Sequence, residues 1–313
     1  MKHVRFGKTE LALSRLGMGC HSLGTAHRAV GWDPFHPDGM RAARRTVRAA
    51  LDAGINVFDT SPDYGDGLSE RILGQALAGC RERVVLASKV DYGPSTTAAD
   101  VERSVLASLG RLRTDYLDIV QFHGGNYSAA ALRRIVHGGL LDTLCRLRQQ
   151  GRVRHLGLTV LDAITARELI ERSELSVAQL LYHIGEQAAA RHALDWCARE
   201  DLGVCVMRPL TAGAFQQMMS GLVPARLTAA ELNELCLEFV LSDPRVHVVH
   251  AGMRWEHEVQ TNAEVVDRFR PALDVSTLPR SVGQRARQED RDGTGPRHSV
   301  RSDARAAVAG TRR

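Results

Sequence analysis

At 313 residues and 44% hydrophobic, the chain can bury one large core, and length alone permits one or two domains. Its six cysteines (20, 80, 145, 197, 205, 236) form no Cys-x-x-Cys pair, which argues against a disulfide framework or a zinc site and suits reduced thiols. No apolar run reaches membrane-spanning length and the first residues lack the apolar centre of a signal peptide, so a soluble, cytoplasmic protein without a membrane partner is expected. The formal charge of +5 is carried by the end of the chain, where residues 280–313 hold nine Arg against four acids. The remainder sums to zero, which argues against a nucleic-acid partner. That segment is poor in apolar residues and cannot offset the entropy of ordering itself, so 280–313 reads as a disordered Arg-rich tail behind a single domain over 1–279.

In chain order, HVRFGKTELALS reads as a short hairpin turned at Gly7-Lys8. Strand-like apolar runs follow near 15–20, 56–60, 84–90, 117–123, 153–160, 176–184, 203–210 and 246–253. Between and after them lie helical patterns at 39–54, 69–79, 97–110, 140–151, 161–173, 189–201, 228–243 and 255–269. Ser or Thr opens several helices and Gly or Asp closes several, with Ser69 the expected N-cap of the second. Eight strands alternating with eight helices is the count of a closed (β/α)8 TIM barrel, an α/β fold. An open doubly wound sheet is the alternative, but its GxGxxG turn is missing; the first turn reads GMGCHSLG, followed by a long insert over 25–39.

Three of the runs end in a chemical group: Asp59 after NVF, Lys89 in VVLASKV and His123 in LDIVQFH. Barrel enzymes collect their catalytic groups at that carboxyl end. Tyr64 follows Asp59 in the loop SPDYGDG, and neighbouring strand ends lie roughly 5 Å apart, so the four can converge. Lysine occurs only at 2, 8 and 89, with 38 of the 41 basic residues being Arg. A lysine inside an apolar strand is therefore conspicuous, because Arg does not replace a compact, titratable ammonium. Taken singly, each residue has a plain structural reading, as a loop cap, an ion-pair partner, a core histidine or a loop aromatic. Together they form an acid–base set. An ammonium about 4 Å from a phenol contributes on the order of 4 kcal/mol toward phenolate. After desolvation, a depression of about 1–3 pKa units is expected for Tyr64. Asp59 would hold Lys89 charged, and His123 would orient a carbonyl oxygen that receives a proton.

At these residues the chain resembles the aldo-keto reductase family, over roughly Val4 to Phe269. GINVFDTSPDYGDGLSERILGQAL is similar to that family's second strand, loop and helix, SKV carries its lysine and QFH its histidine. The resemblance implies Tyr64 as proton donor, Lys89 and Asp59 as its tuning pair, and His123 as the orienting group. It also implies hydride transfer with a nicotinamide cofactor bound without a Rossmann fold, and no metal. For the cofactor it implies Gly19, Cys20 and His21 in the first turn, and Thr159 and Gln179 at the carboxamide, with Val160 where a polar residue is usual. Arg208, Pro209, Leu210 and Gly213 would form the pyrophosphate loop. Gly252, Met253, Arg254, Glu258 and Asn262 would hold the adenosine end. Arg254 favours NADP(H), while Trp255 in place of a second basic residue keeps NAD(H) possible. Trp32, Phe35, His36, Tyr92 and Tyr127 are candidates to line the substrate site. His183 and Glu186 in HIGE lack a third partner and are not read as metal ligands.

The implied activity is an NAD(P)(H)-dependent oxidoreductase acting on a small carbonyl or alcohol. FDTSPDYGDGLSE is also similar to aldose and galactose dehydrogenases of the family, so sugar oxidation with Tyr64 as base is the near alternative. A non-catalytic, nucleotide-sensing barrel is the alternative from another class. Substrate, direction and oligomeric state stay open.

Overall fold

The computed structural model describes residues 1–162, 164–222 and 227–271. The tail expected over 280–313, and the domain boundary at 279, lie outside the described residues. Strands β1 (His3–Arg5) and β2 (Ala12–Ser14) pair antiparallel as the expected hairpin. Their connection is longer than a two-residue turn: a 3-10 turn spans Gly7–Thr9. Gly7 takes φ +53° there, and a Cβ would run into the backbone at 201–203, so the turn needs a glycine. The Lys8 N–H donates to the Asp201 carbonyl at 2.6 Å, and Phe6 and Leu13 are buried with Val57, Val85, Ile119, Val177 and Val248. The hairpin thus closes one end of the barrel with apolar side chains.

The barrel strands are β3 (Leu16–Gly19), β4 (Val57–Asp59), β5 (Val85–Val90), β6 (Leu117–Phe122), β7 (Val153–Val160), β8 (Val177–Leu181), β9 (Gly203–Met207) and β10 (Val248–Gly252). They close in sequence order, with β10 beside β3, and every neighbouring pair in the barrel is parallel. Both faces of a barrel strand are buried, which is why the runs read as continuous apolar segments. Alternation sorts them: Val57, Val85, Ala87 and Ile119 join the inner cluster, while Phe58, Leu86 and Val120 join the outer one with the helices.

The surrounding helices are α1 (Pro37–Asp52), α2 (Leu68–Ala76), α3 (Ala98–Leu112), α4 (Ala129–His137), α5 (Leu140–Gln149) and α6 (Arg167–Ile170). Then come α7 (Ala188–Arg191), α8 (Ala193–Arg199), α9 (Ala214–Leu222), α10 (Ala229–Leu241) and α11 (Glu256–Arg268). Thr97 and Thr228 form capping boxes with Asp100 and Glu231.

Four sequence expectations are corrected here. The helix expected over 161–173 shrinks to α6. Asp162 accepts from the Ile164 N–H and Thr165 donates to the Asp162 carbonyl, local bonds that compete with helix formation. The helix expected over 189–201 breaks into α7 and α8 at His192, where φ is −136° and ψ −64°. Two helices, α4 and α9, were not expected, although Ser128 caps the first of them. Ser69 is no N-cap: it lies inside α2 behind Gly67, fully buried, and its hydroxyl donates to the Cys20 carbonyl at 2.9 Å.

Candidate active site

β4, β5 and β6 bring Asp59, Lys89 and His123 to neighbouring carboxyl ends, with Ala87 opposite Asp59 and Gln121 opposite Lys89 in the register. The Lys89 ammonium is buried and uses all three of its N–H bonds. It donates to Asp59 Oδ2 at 2.8 Å, to the Thr60 carbonyl at 2.7 Å and to the Tyr64 hydroxyl at 3.3 Å. The loop carrying Tyr64 is fixed against the first turn. Ser69 reaches Cys20, and Gly24 lies so close to the Tyr64–Gly65 backbone that a Cβ would not fit. Tyr64 is half-buried, with the His21 ring edge-on at 5.0 Å and the His123 ring edge-on at 5.9 Å.

Burial works against the charges on both members of the ion pair, and their mutual attraction overcomes it. Asp59 is held below the usual carboxylate range, chiefly by Lys89 against that burial. Lys89 is held above the usual lysine range, by Asp59 and then Tyr64 against the same cost. The phenol behaves differently from the sequence expectation. Burial pushes the Tyr64 hydroxyl up; Lys89 pulls it down and Asp59 pushes it up again, so it stands above its ordinary value. The phenol therefore keeps its proton at neutral pH, and the expected depression is corrected.

The interior layer continues as a polar chain. Gln121 donates to Asp59 Oδ1 at 3.2 Å, and the Thr159 hydroxyl lies 3.4 Å from Gln121 Oε1 and 3.2 Å from Gln179 Oε1. Gln179 Nε2 meets His250 Nδ1 at 2.9 Å, so that nitrogen accepts and the ring proton sits on Nε2. Among the described residues Nε2 has no partner although it is buried. Gln121 and His250 were not singled out from the sequence. Counting by twos back from His123 and Gly252 along their strands would have found both.

The residues proposed for the cofactor lie on the adjoining arc of strand ends. Gly19 and Gly252 are register partners at the tips of β3 and β10. Cys20 and Met253, the residues that follow them, are buried, and Ser22 donates to the Met253 carbonyl at 2.9 Å. After β9, Pro209 is buried, Leu210 is partly buried, and Arg208 and Gly213 are exposed. Arg208, Thr211, Ala212 and Gly213 all have positive φ (57°, 54°, 53° and 87°), a strain uncommon for residues bearing a Cβ. After β10, Glu258 accepts from the Arg254 N–H at 2.5 Å and pairs with its guanidinium at 3.3 Å. Arg254 Nε is buried without a partner among the described residues, and Asn262 is buried on α11.

Of the aromatic candidates for substrate, two are packed away. Trp32 is fully buried, donates to the Ser22 carbonyl at 2.7 Å and meets Trp255 edge-on at 4.9 Å. Tyr127 is buried and bonds the Thr159 carbonyl at 2.9 Å. Tyr92 stacks on Tyr127 at 4.9 Å and stays partly exposed, while Phe35 and His36 are exposed in the first loop. His183 and Glu186 exchange backbone hydrogen bonds as an isolated bridge. Among the described residues no group of three or more His, Cys, Asp and Glu could hold a metal. No described helix is long and apolar enough to cross a membrane.

The Aldo/keto reductase family model matches residues 15–222. Methylglyoxal reductase YeaE of Escherichia coli is 29% identical over 276 residues, covering 81% of this chain and 90% of that protein. L-galactose dehydrogenase of Arabidopsis thaliana is 26% identical over 299 residues, covering 87% and 90%. Among solved structures, the holo form of aldo-keto reductase AKR11C1 from Bacillus halodurans superposes with a TM-score of 0.72 at 26% identity, covering 87% and 93%. An aldo/keto reductase from Klebsiella pneumoniae in complex with NADP and acetate gives 0.69 at 27% identity, covering 96% and 99%. The closed parallel barrel, the buried lysine–aspartate pair under a tyrosine and these matches agree: the chain belongs to the aldo/keto reductase family of nicotinamide-dependent oxidoreductases.

Proposed function

We propose that this protein reduces a small aldehyde or ketone with NADPH, Tyr64 giving the proton. The carrying observation is the Lys89 ammonium, bonded at once to Asp59, the Thr60 carbonyl and the Tyr64 hydroxyl. A phenol held above its ordinary value by burial is protonated at neutral pH, the state a general acid requires. As the proton leaves, charge develops on the phenol oxygen, where Lys89 already points. That preorganised charge needs no rearrangement at the moment of transfer. Asp59 keeps the ammonium charged and aimed, and His123 at the rim orients the carbonyl oxygen.

The residues present fit a dinucleotide with an added phosphate. Arg254 has a buried Nε without a partner among the described residues, and the left-handed backbone after β9 ends in the exposed residues Ala212 and Gly213. Thr159 and Gln179 would hold the carboxamide, and Arg208 to Gly213 the pyrophosphate. When bound, the reduced nicotinamide supplies hydride to the carbonyl carbon. NADP in the Klebsiella pneumoniae structure supports NADPH, while an Escherichia coli relative named NADH-specific methylglyoxal reductase, 29% identical over 232 residues, keeps NADH as the second candidate.

Oxidation of an aldose sugar is the second reading, supported by the Arabidopsis relative. It needs Tyr64 as phenolate, which the raised phenol puts at alkaline pH. The barrel would act in the cytoplasm, where its six free cysteines stay reduced. The test is a nucleotide fluorescence titration followed by a substrate panel. Turnover of small carbonyls with NADPH near neutral pH is expected; a preference for free sugars with NAD⁺ would replace the reductase reading with the dehydrogenase one.

A further inference from the structure

The loop after β10 is held, residue by residue, by the segment that follows β3. Ser22 donates to the Met253 carbonyl at 2.9 Å, and Thr46 on α1 donates to the Arg254 carbonyl at 2.6 Å. The Trp32 ring meets Trp255 edge-on at 4.9 Å, and Arg45 donates to Glu256 at 2.8 Å. The pairing of β3 with β10 brings the two segments together, but it does not supply Trp32, which belongs to the insert over 25–39. There the chain makes a closed turn. His27 and Trp32 exchange backbone hydrogen bonds at 2.7 and 3.2 Å, with Gly31 at φ +71° between them. Residues 27–31 are exposed while Trp32 is fully buried, so the turn presents this one ring to the interior. The indole N–H donates to the Ser22 carbonyl at 2.7 Å, which ties the ring to the same residue that holds Met253.

Arg254 sits in the middle of this contact. Its N–H donates to Glu258 and its carbonyl accepts from Thr46, so its main chain is fixed on both sides. Its side chain has less: Nη1 lies 3.3 Å from Glu258 Oε1, and Nε is buried without a partner among the described residues. A guanidinium reads a phosphate through donors in a fixed fork, so the direction in which the backbone launches it decides whether the fork meets the oxygens. We propose that Trp32 and Thr46 are positioning residues that aim Arg254, so that the segment after β3 sets the preference for a nucleotide with a phosphorylated ribose. This rests on the reading of Arg254 as the group that meets that phosphate. Trp32 acts through Trp255, the next residue in the chain, and Thr46 acts through the Arg254 carbonyl. A dinucleotide without the phosphate gives the fork nothing to meet, so its binding does not register how the fork is aimed.

The test titrates the full chain with NADPH and with NADH, read by the directly excited emission of the reduced nicotinamide, so that loss of a tryptophan does not alter the signal. Trp32→Leu removes the ring contact, and Thr46→Val removes one hydroxyl at nearly constant shape. Each should raise Kd for NADPH about three- to tenfold, up to what loss of the Arg254 contact itself would cost. Kd for NADH should stay within about twofold. In an Arg254→Ala background both substitutions should lose their effect on NADPH, the non-additivity expected of residues that act through that side chain. Equal weakening of both nucleotides, or effects on NADPH that persist in full without Arg254, would make the two residues ordinary packing and overturn the proposal. An unchanged Kd for NADPH in both variants, beside a selective loss in Arg254→Ala, would overturn it as well and leave the phosphate reading standing. If Arg254→Ala itself weakens both nucleotides alike, the phosphate reading fails and this inference falls with it. Thr46→Val decides alone if Trp32→Leu does not fold.

Discussion

Gly17 and His250 face each other as register partners on β3 and β10, and the imidazole occupies the space a side chain at 17 would need. A Cβ on Gly17 would press on the ring and lie 2.9 Å from Val57 Cγ1. Gly17→Ala should therefore destabilise the barrel by about 1–3 kcal/mol through overpacking. Adding His250→Ala should recover part of that loss, so the double variant costs less than the sum of the singles in denaturant unfolding. Additive costs would mean the ring is not where the Cβ would go.

The same histidine makes stability depend on pH. Burial holds His250 below the ordinary imidazole range, with Asp59 opposing and Lys89 adding to the effect. Its folded value is lowered, so the unfolded chain takes up a proton first as pH falls. The stability it contributes is fully present above the unfolded value, about 6.5, and is lost as pH drops toward the folded one. Melting temperature should fall as pH drops below about 6.5, and His250→Leu should flatten part of that fall.

Lys89→Met tests the ion pair under the tyrosine. It leaves the buried Asp59 carboxylate without its cation, which costs about 3–5 kcal/mol in comparable buried pairs. Asp59→Asn in the same chain should restore much of the stability and none of the turnover. Chemical denaturation and a carbonyl reduction assay separate the two effects. Recovery of activity in the double variant would count against Lys89 as the group that supports the phenol.

The cofactor's phosphate end is tested at Arg254. Removing the guanidinium in Arg254→Ala should raise KM for NADPH about tenfold, the loss of roughly one charge-assisted contact. KM for NADH should barely move. An equal rise for both nucleotides would assign Arg254 to packing against Glu258 rather than to phosphate binding.

The barrel was legible because its strands are buried on both faces and separated by amphipathic helices, and Asp59, Lys89 and His123 could be placed from strand order alone. Tyr64 was legible through its loop. The helix expected over 161–173 failed because Asp162 and Thr165 bond their own backbone, a competition that apolar spacing does not register. Ser69 looked like a cap because its partners, Thr60 and Cys20, are distant in sequence. Trp32 and Tyr127 looked available for substrate, yet each found a backbone carbonyl inside the fold. The Tyr64 phenol moved opposite to expectation because Asp59 and burial act on it together with Lys89.

If Tyr64 donates the proton, Tyr64→Phe removes the acid and leaves the nucleotide site intact. NADPH affinity by fluorescence titration should be unchanged, while kcat for carbonyl reduction near neutral pH should fall about 10²–10⁴-fold, the range general acid catalysis supplies. Near-normal turnover in Tyr64→Phe with intact NADPH binding would contradict the donor role of Tyr64.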